Sequence, residues 1–290
     1  MDVFRRNINN IFVIFILSHF SIWTLVPTLT NQNLPLDTIE ALAWGSNLDW
    51  GFNKHPPASA FFVEMFYQIF GSQDWAYYLL SQIFVMISFY YVFKLSNEVL
   101  KNSKLSLISV LLLEAIYFYN FTSPEYNVNI CQLPFWSIVV YYSWKIFQNK
   151  TISFKDCLIV GLFASIGFLS KYLFIYLLIS ISFLFIYFIY YKKIIKFDFK
   201  YLIIFEVFII LLIPHFIWLH NNDYVTVFYG LKRTGIEGSG LIDHIKYPAI
   251  FIVKQFGLLI PFFILNFLLV KKIKFKINLK DKKLVFLIFV

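Results

Sequence analysis

Asp37 and Glu40 stand three residues apart in the stretch LDTIEALAWG, so a helix there puts both carboxylates on one face, one turn apart. Trp44 extends the same stripe at i+7. Two carboxylates and an aromatic ring then converge, a set suited to proton transfer. A plainer account has Asp37 capping a helix on the membrane surface, Glu40 completing a capping pair and Trp44 anchoring at the interface. Farther along, Lys54-His55-Pro56-Pro57 sets a cation and an imidazole before a double proline. There the backbone is extended and holds both nitrogen groups in place, unless it merely starts the next helix.

The elements that must position these groups are membrane helices. The chain has 290 residues, 60% of them hydrophobic and 14% charged, with a mean hydropathy of +0.71. A soluble domain is nearer half apolar and a quarter charged. The formal charge of +9 is carried by basic residues between apolar runs, which suits anionic lipid and sets nucleic acid aside as a partner. Cys131 and Cys157 have no CxxC or CxxH neighbour, so neither a disulfide framework nor a thiolate metal site is supported. The run after Arg5 and Arg6 lacks a small-residue cleavage site and reads as a retained first span.

Apolar length predicts eight spans, at 11–26, 75–95, 105–121, 133–147, 157–169, 172–191, 201–219 and 247–270. The fifth is short, and 157–191 could instead be one long helix carrying Lys171. Charge decides for two helices. With eight crossings, most of the 25 basic residues fall on the N-terminal side, including Lys94, Lys101 and Lys104, Lys145, Lys150 and Lys155, Lys192 to Lys200, and the lysines from Lys271 to Lys283. That is the positive-inside bias. The chain therefore turns at Ser170 and Lys171 on the outer side. Outer loops are expected at 27–74, 122–132 and 220–246. The final apolar run, 284–290, is too short to cross and reads as the start of an incomplete span, as if the chain were cut short. The whole is an all-α polytopic membrane protein, one transmembrane domain over 1–290 with a structured amphipathic first loop.

LDxxEAxAWG followed by GFxKHPP resembles the first periplasmic loop of bacterial family 39 glycosyltransferases, relatives of protein mannosyltransferases and the aminoarabinose lipid A transferase. The resemblance continues in Phe168-Leu169-Ser170-Lys171-Tyr172, in Pro214-His215-Phe216-Ile217-Trp218 and in 225–234, so it covers nearly the whole chain. Many relatives have an Asp-Glu pair and an Asp-His-Pro-Pro turn, where this chain has Asp37-Thr38 and Lys54. Glu40 is then the candidate for the second acidic role.

The resemblance implies a multi-pass enzyme of the bacterial inner membrane, with its N-terminus cytoplasmic and its active site periplasmic. Such enzymes pass a sugar from a polyprenyl phosphate to a lipid or other envelope acceptor. The lipid-linked sugar is a substrate; no cofactor is called for, and metal is left unassigned. Inverting transfer needs one base for the acceptor hydroxyl and neutralisation of the departing phosphate. Asp37 is the candidate base; its ordinary pKa of about 3.9 would have to rise through burial beside Glu40. Lys54, His55 and Lys171 are candidates for the phosphate, with Lys232 and Arg233 behind them. Against this, Lys171 could snorkel at a helix turn and the 232–233 pair could be a solvated loop. Trp44, Glu125, Tyr126, Asn127 and Asn129 are candidate sugar or acceptor contacts, unless the last four form an exposed turn after Pro124. The rival class is a transporter or lipid-carrier flippase built on Glu114 and Glu206, since carboxylates inside spans are costly. Glu206 could also pair with Lys200. An inactive truncated transferase is a third reading.

Overall fold

A computed structural model describes residues 2–148, 152–233, 240, 242–270 and 281–290, with side chains from Asn7 onward. The expected cytoplasmic charges of Arg5, Arg6, Lys150 and 271–280, and part of the 220–246 loop, lie outside the described residues or side chains. Among the described residues the chain is helical, with no strand. Its helices are α1 (Asp2–Thr30), α2 (Leu36–Gly45), α3 (Ala58–Phe70), α4 (Asp74–Leu100), α5 (Ser103–Leu111), α6 (Val128–Gln148), α7 (Phe154–Ser170) and α8 (Ile175–Ile186). They continue with α9 (Tyr201–Asn221), α10 (Val225–Arg233), α11 (Asp243–Leu258), α12 (Ile260–Leu269) and α13 (Lys282–Phe289).

The long helices pack in the order α1, α4, α6, α7, α9. Their core is aromatic and aliphatic, with Tyr77, Phe89, Trp144 and Phe147 sealed from solvent. Close approach is set by small residues: a Cβ on Gly161 of α7 would lie 2.8 Å from the Ile204 carbonyl oxygen of α9.

Four helices are long and apolar enough to cross a bilayer, at Asn7–Thr30, Asp74–Leu100, Tyr172–Tyr191 and Tyr201–Asn221. The α11 and α12 pair makes a fifth if its 41° bend is counted as one span. These match five of the eight expected spans. α6 is 21 residues long but less apolar, and α7 is 17 residues long.

The span expected at 105–121 is not one helix. α5 ends at Leu111, and two short 3-10 turns carry the chain through Tyr119. The break is where Glu114 meets His19 of α1, Oε2 to Nδ1 at 2.8 Å, with the Trp23 indole donating at 3.4 Å. Asn120 then donates to the Glu114 carbonyl at 2.6 Å, a partner for backbone that has left the helix. The run 284–290 falls almost wholly within α13. α13 tucks against α6 and α8, where Phe286 is fully buried beside Trp144 and Phe147. Lys282 donates to the Phe147 carbonyl.

The two ends of the bundle differ. At one end meet the C-termini of α4 and α6 and the start of α7, with Tyr141 donating to Glu98 at 2.7 Å and Lys145 paired to Asp156 at 3.0 Å. Lys94 lies over the rings of Tyr90, Tyr91 and Tyr141. Lys200 pairs with Asp198 at 3.9 Å and not with Glu206, which is exposed on α9. At the opposite end, α2, α3, the turn before α6, the α7–α8 turn and α10 come together.

Candidate active site

α2 starts after Pro35 and ends against α3, where a Cβ on Gly45 would lie 2.9 Å from the Ala60 carbonyl oxygen. No side chain caps its N-terminus, so the capping account of Asp37 and Glu40 does not hold. Asp37 sits in the first turn, where a helix favours negative charge. Thr38 points the other way and donates to the Tyr126 carbonyl at 3.0 Å, fixing α2 to the turn before α6.

The helix face presents Asp37, Glu40 and Trp44 to one small cleft, completed by Ala41, His55, Ser59, Asn127 and Val128. Asp37 is exposed, so the burial expected of it is absent. Its backbone N–H donates to Glu125 Oε1 at 3.4 Å, which brings the Glu125 carboxylate to the first turn of α2. Burial pushes the Glu125 carboxyl above its ordinary range, against the bond from the Asp37 N–H, which favours the ionised form. Glu40 instead accepts a hydrogen bond from Lys54 at 2.5 Å. That bond holds the Lys54 ammonium above its ordinary pKa. Glu40 thus lines the cleft with Asp37 while paired to Lys54, and Glu125 reaches the start of α2 from the turn before α6.

The 51–57 turn brings Lys54 and His55 to this helix face. Phe52 stacks on Trp44 with centroids 5.4 Å apart, and His55 meets Trp44 edge-on at 5.8 Å. Burial lowers the His55 pKa, and the Lys171 charge lowers it further. Lys171, at the α7–α8 turn, donates to Asn129 Oδ1 at 2.5 Å. Its own pKa is lowered by burial and by Arg233 of α10. Arg233 in turn lies over the Tyr229 ring, and Tyr229 adds to the field on Lys54. Lys54 and His55 therefore adjoin the carboxylates, and Lys171 and Arg233, each within electrostatic reach of the one before, extend a basic rim from them.

Other expected residues lie elsewhere. Tyr126 is fully buried, its ring edge-on to Phe84 at 5.7 Å, so it supports the site and cannot touch a sugar. Asn127 lines the cleft, but its side chain also accepts from the N–H groups of Asn129 and Ile130 at the start of α6. Lys232 is exposed, and among the described residues no hydrogen bond or ion pair joins it to the cleft. Tyr229 and Asn129 lie closer to the cations than their sequence context signalled. Among the described residues no three His, Cys, Asp or Glu side chains converge on one point. A larger cavity, about 600 Å³, lies between α7, α8 and α9; its walls are apolar, and the cleft chemistry is absent from it.

A family model described as dolichyl-phosphate-mannose-protein mannosyltransferase matches residues 54–218, more than half of the chain. The chain belongs to this family. It is accordingly a multi-pass membrane glycosyltransferase. The matched segment of this glycosyltransferase runs from Lys54 of the basic rim, through Glu125 and Lys171, to Trp218 of α9. No curated protein and no solved structure matches the chain.

Proposed function

We propose that the chain transfers a sugar from a polyprenyl-phosphate donor to a hydroxyl or phosphate of a lipid or other envelope acceptor, with inversion. The observation that carries this reading is the meeting of an exposed carboxylate, Asp37, with a rim of four basic side chains at one end of the bundle. An anionic leaving group needs such cations, and an attacking hydroxyl needs such a base. In the balanced step, the acceptor oxygen bonds to the sugar's anomeric carbon as the bond to the phosphate oxygen breaks. Asp37 takes the acceptor proton, and the phosphate leaves as an anion against Lys54, Lys171 and Arg233. Neutral His55 donates one hydrogen bond. Glu125 orients the acceptor beside Asp37, and Trp44 offers a ring face to the sugar.

In this reading the cleft faces the periplasm. The lysines at the other end, including Lys94, Lys145 and Lys200, face the cytoplasm, in keeping with the positive-inside bias. The acceptor is lipid A or another envelope glycan. The experiment loads the full chain, in its native membrane, with polyprenyl-phosphate sugars and compares wild type, Asp37→Asn and Lys54→Ala at matched expression. Transfer by wild type that Asp37→Asn abolishes supports the reading. Transfer undiminished in both variants overturns it.

A further inference from the structure

His215 of α9 lies outside the cleft, fully buried, with both ring nitrogens engaged. Nδ1 is 2.6 Å from the Trp50 carbonyl oxygen, and Nε2 is 2.7 Å from the Tyr172 hydroxyl. A carbonyl only accepts, so Nδ1 carries the proton and Nε2 accepts from Tyr172. The two partners are telling. Trp50 opens the turn that carries Lys54 and His55, and Tyr172 follows Lys171 directly. One helical turn past His215, the Trp218 ring lies against Gly51, where a Cβ would come within 2.3 Å of it. Thr226 of α10 is buried as well; it donates to the Phe52 carbonyl at 2.5 Å and reaches Tyr172.

We infer that His215 is a positioning residue: through Trp50 and Tyr172 it holds Lys54 and Lys171 at the spacing that the donor's phosphate requires. Thr226 extends the same latch to α10, which carries Arg233. The inference rests on the phosphate-site reading above. The physical reason is that these cations sit on three chain segments far apart in sequence. Each is a long side chain whose ordering costs entropy, and a loose backbone anchor beneath it adds to that cost and weakens charge-assisted bonds to a phosphate. A buried, fully partnered imidazole supplies a rigid anchor because either lost bond would strand a buried polar group.

The test uses the full chain in lipid nanodiscs, with a sugar-free polyprenyl monophosphate as the probe. Tyr172→Phe removes one hydroxyl and keeps the ring, so the fold survives it. It is expected to weaken probe binding about tenfold, the effect of one lost buried hydrogen bond. In a Lys171→Met background the same change is expected to cost little, because no cation remains for Tyr172 to hold. His215→Gln, which retains a donor and an acceptor, is expected to bind better than His215→Leu. Losses that multiply in Tyr172→Phe/Lys171→Met, or a lowered melting temperature with unchanged binding, would overturn the latch and leave His215 a packing residue. Lys171→Met binding the probe like wild type would instead overturn the phosphate reading beneath it.

Discussion

Glu40 Oε1 and Lys54 Nζ meet at 2.5 Å, so the second carboxylate of α2 is spent on a cation of the 51–57 turn and not on its neighbour Asp37. Both side chains are partly exposed, and a pair of this kind contributes little to stability. Its consequence lies in binding, since an incoming phosphate must compete with Glu40 for Lys54. Glu40→Gln is expected to lower the donor KM by about two- to fivefold, the value of a solvated charge pair, and Lys54→Ala to raise it. Steady-state kinetics over donor concentration decide. A Glu40→Gln enzyme with normal KM and no turnover would make Glu40 the base.

Glu125 accepts from the Asp37 backbone N–H, and of the two carboxylates that of Asp37 belongs to the more exposed residue. Asp37→Asn is expected to reduce kcat by about 10²- to 10⁴-fold, the range for a lost general base. Glu125→Gln is expected to act mainly on acceptor KM. Exchanged effects between the two variants would exchange the roles.

Burial and Lys171 lower the pKa of His55, so the folded state resists protonating it. As pH falls through the unfolded value of about 6.5, the unfolded chain takes up the proton first and stability declines. The contribution is complete above that value and lost below it. A melting temperature that falls between pH 7.5 and 5.5, and falls less in His55→Asn, is the expected result. An identical fall in the variant would assign the effect to other groups.

Gly51 has the Trp218 ring where a Cβ would be, at 2.3 Å. Gly51→Ala must push back the ring or the turn, at about 1–3 kcal/mol. Thermal unfolding should show the loss, and adding Trp218→Leu should restore part of it. If Gly51→Ala melts like wild type, the contact yields more easily than packed aromatic rings do.

Glu114 is hydrogen-bonded to His19 and Trp23 at a helix break, a structural duty that accounts for a carboxylate there without a proton-coupled carrier. Glu114→Gln is expected to lower the melting temperature and leave sugar transfer near the wild-type rate. Reconstitution in proteoliposomes gives the opposing outcome: uptake of a lipid-linked sugar lost in Glu114→Gln but kept in Asp37→Asn would favour transport.

Composition and apolar runs sufficed for the helical membrane class, because a bilayer demands long apolar helices whatever their neighbours are. Local spacing sufficed for the joint face of Asp37, Glu40 and Trp44, since helical periodicity depends on nothing distant. Resemblance in KHPP and in the Ser170-Lys171 turn pointed to the right family. Four things depended on tertiary contacts. Glu40 found Lys54 because a turn folds back on α2, and Tyr126 was sealed in the core because Phe84 of α4 lies across it. The apolar run at 105–121 breaks where Glu114 meets His19 of a different helix. His215 became a latch only when α9 was laid against the first loop. Each is a pairing between segments distant in the chain, and neither hydropathy nor spacing carries information about which buried polar group will meet which.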